Sequence, residues 1–270
     1  MSMFPETMRT PRLRYERIDD AVDVFERYEW TRSSRDARER ETRYVTTSPD
    51  PHPKATADAL QDHGDAWEEN EQAYWAIFLR PGEPDASGDP VKAGEGPRAS
   101  DGQADGVRET GDRVHVGVAS LDALWENRRV HTGVELYKPY WGRGYAGERA
   151  RALLKVTFEV LDVEVASVAH FAGNENSRSQ MEGWVEQYGG SEDGYFRNAV
   201  PRDDGDGEPW DLRSYVITAA DYRDAGGAPA VELDPEDVPS ATSEPTDLDR
   251  AGGRDEVDDG DSDGEGGASA

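Results

Sequence analysis

Along residues 12–18 (RLRYERI) apolar Leu13, Tyr15 and Ile18 recur loosely at strand spacing, and DDAVDVFERYEW follows with Val22, Phe25 and Tyr28 at helical spacing behind Asp19 or Asp20 as N-cap. A Pro-rich turn precedes a second helix over about 53–70, opened by Pro53. AYWAIFL (73–79) is apolar throughout and reads as a buried strand. RVHVGVASL (113–121) and RVHTGVELY (129–137) are strands close enough in sequence to form an antiparallel hairpin. A helix over 144–161 carries Ala146, Ala150, Leu153, Leu154, Thr157, Phe158 and Leu161 as one stripe. Then come a strand (164–171), a helix (175–189) with the stripe Ser177, Met181, Trp184, Val185 and Tyr188, and strands near 194–198 and 211–218.

Two stretches break the pattern. Residues 81–111 hold no aromatic residue and only Val91 and Val107 as larger apolar side chains. Such a segment cannot offset an ordering cost of about 1–2 kcal/mol per residue, so it reads as a disordered insertion. Residues 224–270 carry 15 acidic residues against Arg250 and Arg254, with repeated Gly, Pro and Ser, and read as a disordered acidic tail. The remainder, residues 1–223, is one folded domain without internal repeats.

Charge narrows the function classes. The chain has 270 residues and a formal net charge of −28, from 58 acidic and 30 basic side chains; only Lys54, Lys92, Lys138 and Lys155 are lysines. Such a surface repels nucleic acid and anionic membranes, which removes both as partners. It suits a salt-filled cytoplasm, where the screening length falls to about 3 Å at molar salt, and points to a halophilic source; a polycationic partner is the other reading. The absence of cysteine excludes disulfides and cysteine nucleophiles, and the five histidines lack the spacing of a helical zinc pair, so no metal is expected. With neither a leader nor an apolar run of about 20 residues, a soluble cytoplasmic protein is expected.

The chemistry concentrates in YKPYWGRGYAGERARALLK (137–155). Gly142, Gly144 and Gly147 match G-x-G-x-x-G between a strand and a helix. A dinucleotide fold would lead its strand almost directly into the first glycine and end the next strand on a ribose-binding acid. Here KPYW intervenes, Asp162 precedes the next strand, and GNENS follows it. The antiparallel hairpin also argues against a nicotinamide enzyme. What survives is an anion site at a helix N-terminus, where unpaired amides and the helix dipole favour phosphate. A glycine-eased helix start that binds nothing is the structural alternative.

PYWGRGYAGERARALL resembles the pyrophosphate loop of the GNAT superfamily of N-acetyltransferases, in particular the ribosomal-protein N-terminal (Rim-type) branch. Gly144 and Ala146 fill the last positions of its pattern, Trp141 stands where the superfamily has Gln or Arg, and Gly147 stands where the branch often has Thr or Ser. NENSRSQMEGWVEQYGG (174–190) resembles the branch's Asn-x-x-Ser segment and following helix, and GYFRN, RTPRLRYERI and DLRSYVITAADY resemble flanking strands. The resemblance covers most of 8–222 outside the insertion.

It implies an α+β fold with a mixed, mostly antiparallel central sheet flanked by helices, in which strand 129–137 splays from strand 164–171. Acetyl-CoA is the implied cosubstrate: backbone groups of Val134 and Leu136 pair with its pantetheine arm, and Gly142, Arg143, Gly144, Tyr145, Ala146 and Gly147 hold its pyrophosphate. Asn174 contacts the pantetheine amide, or simply forms a turn. Glu135 removes the amine proton, or is a solvated strand glutamate. The Leu136 amide meets the thioester oxygen. Ser177 protonates the departing thiolate, or caps its helix. The acceptor implied is a protein N-terminus, with a small amine or aminoglycoside-like cation as second choice and a non-catalytic CoA-binding module as the rival class. The chain is expected to be a monomer or homodimer.

Overall fold

The computed structural model describes residues 2–30, 32, 50–92, 113–201 and 208–234. In chain order the elements are β1 (Thr7–Arg9), β2 (Leu13–Arg17), α1 (Ile18–Ala21), α2 (24–30), α3 (Pro53–Glu68), β3 (Gln72–Leu79), β4 (His115–Leu124), β5 (Arg129–Leu136), α4 (Tyr145–Lys155), β6 (Val165–Phe171), α5 (Glu175–Gln187), β7 (Ser191–Val200), β8 (Trp210–Thr218), α6 (Ala219–Asp224) and β9 (Glu232–Leu233). Among the described residues the strands form one sheet in the order β7-β8-β6-β5-β4-β3-β2-β1-β9. Every neighbouring pair is antiparallel except β5 with β6.

The two-residue period of β3 divides the core. Trp75, Ile77 and Leu79 join the larger cluster with Leu121, Leu153 and Ile217, whereas Ala76 and Phe78 join Ile18, Val22, Leu60 and Val118 in a smaller one. Helices thus cover β3 from both sides, which is why its sequence is apolar at nearly every position. Leu153 and Leu154 of α4 are fully buried, each contributing about 1.5–3 kcal/mol of transfer free energy.

Several sequence expectations need correction. The helix read from DDAVDVFERYEW is interrupted: Val22 is extended and buried, the Asp23 carboxylate restarts the helix by accepting from the Phe25 amide at 2.8 Å, and Phe25 is exposed. Helix 144–161 is α-helical only to Lys155 and continues as a π-helical turn over Val156–Val160, with the Leu161 amide bonded to the Val156 carbonyl. The insertion does not begin disordered at residue 81. Residues 81–92 fold into a hairpin in which Val91 exchanges backbone hydrogen bonds with Gly82 and Glu83 and buries its side chain in the larger core; residues 93–111 lie outside the described residues. Nor does the tail begin at 224, because Ala228 and Val231 are buried and β9 pairs with β1. Residues 235–270 lie outside the described residues.

Candidate active site

A fork in the sheet sets the site. Strands β5 and β6 pair only as Arg129↔Val165, Val130↔Ala166 and His131↔Ser167. The fork is pinned by side chains: Ser167 Oγ donates to the Val130 carbonyl at 2.8 Å, and Thr132 Oγ1 donates to the Ser167 carbonyl at 3.3 Å. Beyond it, the Tyr137 amide donates to Val116 of β4, so the alternation of strand hydrogen bonds directs Glu135 and Tyr137 backbone groups toward β4. Those of Val134 and Leu136 face the opening. The Leu136 carbonyl is already engaged there, accepting from Trp141 Nε1 at 2.6 Å. Opposite, β4 carries a bulge at its pairing with Ile77/Phe78, and Gly117 comes so close to β5 that a Cβ would lie 2.2 Å from the Glu135 carbonyl oxygen.

The glycine loop closes one end of the opening. Gly142 and Gly144 take positive φ of 74° and 79°, and Gly144 is the N-cap of α4 without any side-chain cap. The first intrahelical bond runs from the Glu148 amide to the Gly144 carbonyl, so the Tyr145, Ala146 and Gly147 amides precede the helical ladder. A Cβ on Gly147 would meet nothing within 4 Å. Tyr145 and Ala146 bury their side chains and have only backbone to offer a ligand.

A buried carboxylate anchors this loop. Glu148, 3 % exposed, accepts from Thr10 Oγ1, from the Arg12 amide at 2.8 Å and from Arg12 Nε at 2.7 Å. Arg12 also donates through Nη1 to the Arg143 carbonyl at 2.8 Å and lies 4.7 Å from the Tyr145 ring centre. The Arg143 guanidinium turns outward to the hairpin, donating to the Pro84 and Asp85 carbonyls at 2.7 and 3.1 Å. None of Thr10, Arg12 or Glu148 stood out in the sequence; only the charged pair Glu148 and Arg149 among the buried residues of α4 could have signalled the anchor. Arg149, beside it, is fully buried, and its Nε and Nη1 make no hydrogen bond among the described residues. Desolvation pulls its pKa down to about 10.

Glu135 sits on β5 near a second buried polar cluster. His115 Nε2 approaches the Gly117 carbonyl at 2.9 Å, Tyr137 Oη lies 3.3 Å from His115 Nδ1, and Arg27 donates to Tyr137 Oη at 3.3 Å. Burial, reinforced by Arg27, lowers the His115 pKa to about 3, so the ring is neutral. Neutrality assigns the proton to Nε2, which donates to Gly117, and leaves Nδ1 to accept from Tyr137. Burial also raises the Tyr137 phenol, which Glu135 and Glu26 raise further, so it stays protonated.

Asn174 and Ser177 are joined at the start of α5, with roles exchanged relative to one expectation. Asn174 is the N-cap and its Oδ1 accepts from the Ser177 amide at 3.1 Å. Ser177 is therefore not the cap, and its hydroxyl makes no hydrogen bond among the described residues. Downstream, Trp184, Val185 and Tyr188 are core.

A parallel fork whose open strand presents backbone groups, closed by a glycine-capped helix start, is the architecture of an acyl-CoA-dependent transferase. The model of the Acetyltransferase (GNAT) domain matches residues 12–183, and the chain belongs to this family: it is an acetyl-CoA-dependent acyltransferase. No curated protein matches the sequence. Solved structures of the same fold include an acetyltransferase (GNAT family) from Bacillus anthracis, 18% identical with a TM-score of 0.52, covering 79% of this chain and 99% of that one. Mycobacterium smegmatis RimJ in complex with CoA-disulfide is 13% identical with a TM-score of 0.57, covering 87% and 100%. The apo RimL ribosomal L7/L12 alpha-N-protein acetyltransferase is 12% identical with a TM-score of 0.56, covering 80% and 95%. Among the described residues no helix is long and apolar enough to cross a membrane, and no group of three His, Asp or Glu could hold a metal.

Proposed function

We propose that the chain transfers the acetyl group of acetyl-CoA directly to a primary amine, with the α-amino group of a protein as the acceptor. The observation that carries this reading is the pair Val134 and Leu136, whose backbone groups face the β5/β6 opening directly before the glycine loop. The acceptor class follows the chemistry for which the RimL neighbour is named.

In this reading the amides of residues 142–147 hold the pyrophosphate and backbone groups of Val134 and Leu136 align the pantetheine arm. Glu135 takes a proton from the attacking amine, directly or through water, since only the neutral amine is a nucleophile. As the C–N bond forms, the Leu136 amide meets the charge on the thioester oxygen. The C–S bond then breaks, the acylated nitrogen sheds its surplus proton to water, and Ser177 passes its own proton to the departing sulfur and recovers that one from the water. The acidic surface we read as an adaptation to high salt in a soluble, cytoplasmic enzyme.

A thiol-release assay with acetyl-CoA across N-terminal peptides, small amines and aminoglycosides tests the acceptor class. Turnover with peptides bearing a free α-amine, abolished by blocking it, is the expected result. Turnover confined to small polyamines or aminoglycosides would replace the acceptor, and CoA binding without turnover on any amine would leave a binding module.

A further inference from the structure

The loop motif carries one cation, Arg143, and the natural reading gives its side chain to the phosphates. The geometry points elsewhere. Arg143 Nη1 is shared between the carbonyls of Pro84 and Asp85, and its guanidinium lies 5.3 Å from the Tyr140 ring centre. It fastens the 81–92 hairpin to the loop. Arg12, directly before β2 and more than a hundred residues away in sequence, occupies the other side. Its Nε is bonded to Glu148 and its Nη1 to the Arg143 carbonyl, which fixes the plane of the guanidinium over Tyr145. Nη2 is left without a hydrogen bond among the described residues, and it stands 3.5 Å from the position a Cβ on Gly144 would take. Gly144 is itself exposed, at the N-cap from which the free amides of α4 begin.

We infer that Arg12, rather than Arg143, is the side chain that binds the cofactor's pyrophosphate, presenting Nη2 beside the amides of the α4 N-terminus. The inference rests on reading residues 142–147 as the phosphate loop. Glu148 cancels most of the net charge of Arg12, so its contribution is a directed, pre-ordered donor rather than a long-range field. A guanidinium suits that task because two of its edges can be spent on fixing the third. Lysine has no such fork.

The test is calorimetric and needs no acceptor: full-length protein is titrated with pantetheine, dephospho-CoA and CoA. Wild type should bind both phosphate-bearing ligands at least about 100-fold more tightly than pantetheine. Arg12→Gln should shrink both of those ratios about ten-fold while pantetheine affinity stays within about two-fold, and Arg143→Gln should leave the ratios within about two-fold. Equal losses for all three ligands in Arg12→Gln would reduce Arg12 to a brace for the loop and overturn the inference. So would collapse of the ratios in Arg143→Gln. A loss seen with CoA but not with dephospho-CoA would move Arg12 to the 3′-phosphate and overturn the pyrophosphate assignment. Should Arg12→Gln not fold, Arg12→Lys keeps the charge, and unchanged ratios there would overturn the inference equally. A wild-type ratio near one would instead remove the phosphate reading of the loop itself.

Discussion

The indole of Trp141 donates to the Leu136 carbonyl at 2.6 Å, on the side of β5 that faces the fork. A residue at the edge of the proposed phosphate loop thus occupies a strand acceptor that the proposed reading gives to the pantetheine arm. Where binding through that carbonyl displaces the indole instead of using the second lone pair, the net cost is about 1 kcal/mol for a neutral hydrogen bond. Trp141→Phe keeps the ring and removes the donor, so CoA affinity should rise several-fold in calorimetry. A fall in affinity would mean that the indole bond persists in the complex and organises the loop.

Gly147 separates cofactor binding from stability. It lies within α4, its φ is not positive, and a Cβ there would touch nothing. On the protein alone, Gly147→Ala should stabilise the helix by about 0.5–1 kcal/mol. If the space belongs to phosphates, the same methyl should weaken CoA binding, so melting temperature and affinity move in opposite directions. Gly144→Val is a poorer probe, because φ of 79° makes any branched residue strained whatever the ligand does. A Gly147→Ala protein with unchanged CoA affinity would dissociate the glycine from phosphate binding.

At the start of α5 the cap and the proposed acid are different residues. Asn174→Ala should cost about 1 kcal/mol in denaturant unfolding, because it removes the Ser177 amide's partner. Ser177→Ala removes a hydroxyl with no structural bond and should leave stability within about 0.5 kcal/mol. Any large loss of turnover in Ser177→Ala is therefore chemical. Glu135→Gln should lower turnover and shift its pH profile without weakening CoA binding. Wild-type rates in either variant would return that residue to an ordinary place on helix or strand.

The fold was legible wherever periodicity and burial coincide. The hairpin β4/β5, the stripe of α4 and the buried β3 follow from apolar spacing, and the loop follows from glycines at positions that adopt positive φ. Val22 misled because its apolar side chain fits a helical stripe equally well while its backbone is extended. Val91 and Val231 misled for the opposite reason: each is a single apolar residue in a polar, glycine-rich stretch, and composition averages it away. Strand β9 needs β1 to exist, and Glu148 needs Arg12. Such long-range partners have no local signature, and the same holds for the chain from Arg27 through Tyr137 to His115.

That chain sets a pH dependence. His115 titrates at about 3 in the fold against about 6.5 unfolded, so folding favours the neutral ring. The stabilisation it gives is fully present above the unfolded value and is lost as pH falls from about 6.5 toward 3, with a slope of up to about 1.4 kcal/mol per pH unit. His115→Gln retains a neutral donor and acceptor and should flatten that part of the stability curve in urea titrations at successive pH values. An unchanged slope in the variant would assign the acid lability to carboxylates instead.

Where the folded domain ends decides what can be removed. Twelve acidic and two basic residues lie in 235–270, so −18 of the net −28 stays on residues 1–234, and self-repulsion persists without the tail. Deleting 235–270 should leave the melting temperature and acetyl transfer near wild type. Deleting 224–270 also removes Ala228, Val231 and the β9 pairing that covers the edge of β1. Burial of a valine alone is about 1.5–3 kcal/mol, so this longer deletion should be measurably less stable. Both proteins should melt at markedly higher temperature in molar KCl than at 0.1 M, because salt screens the remaining charge and strengthens apolar burial. Equal stability of the two deletions would place the boundary at 223 after all, and melts insensitive to salt would remove the halophilic reading and favour a cationic partner for the acidic surface.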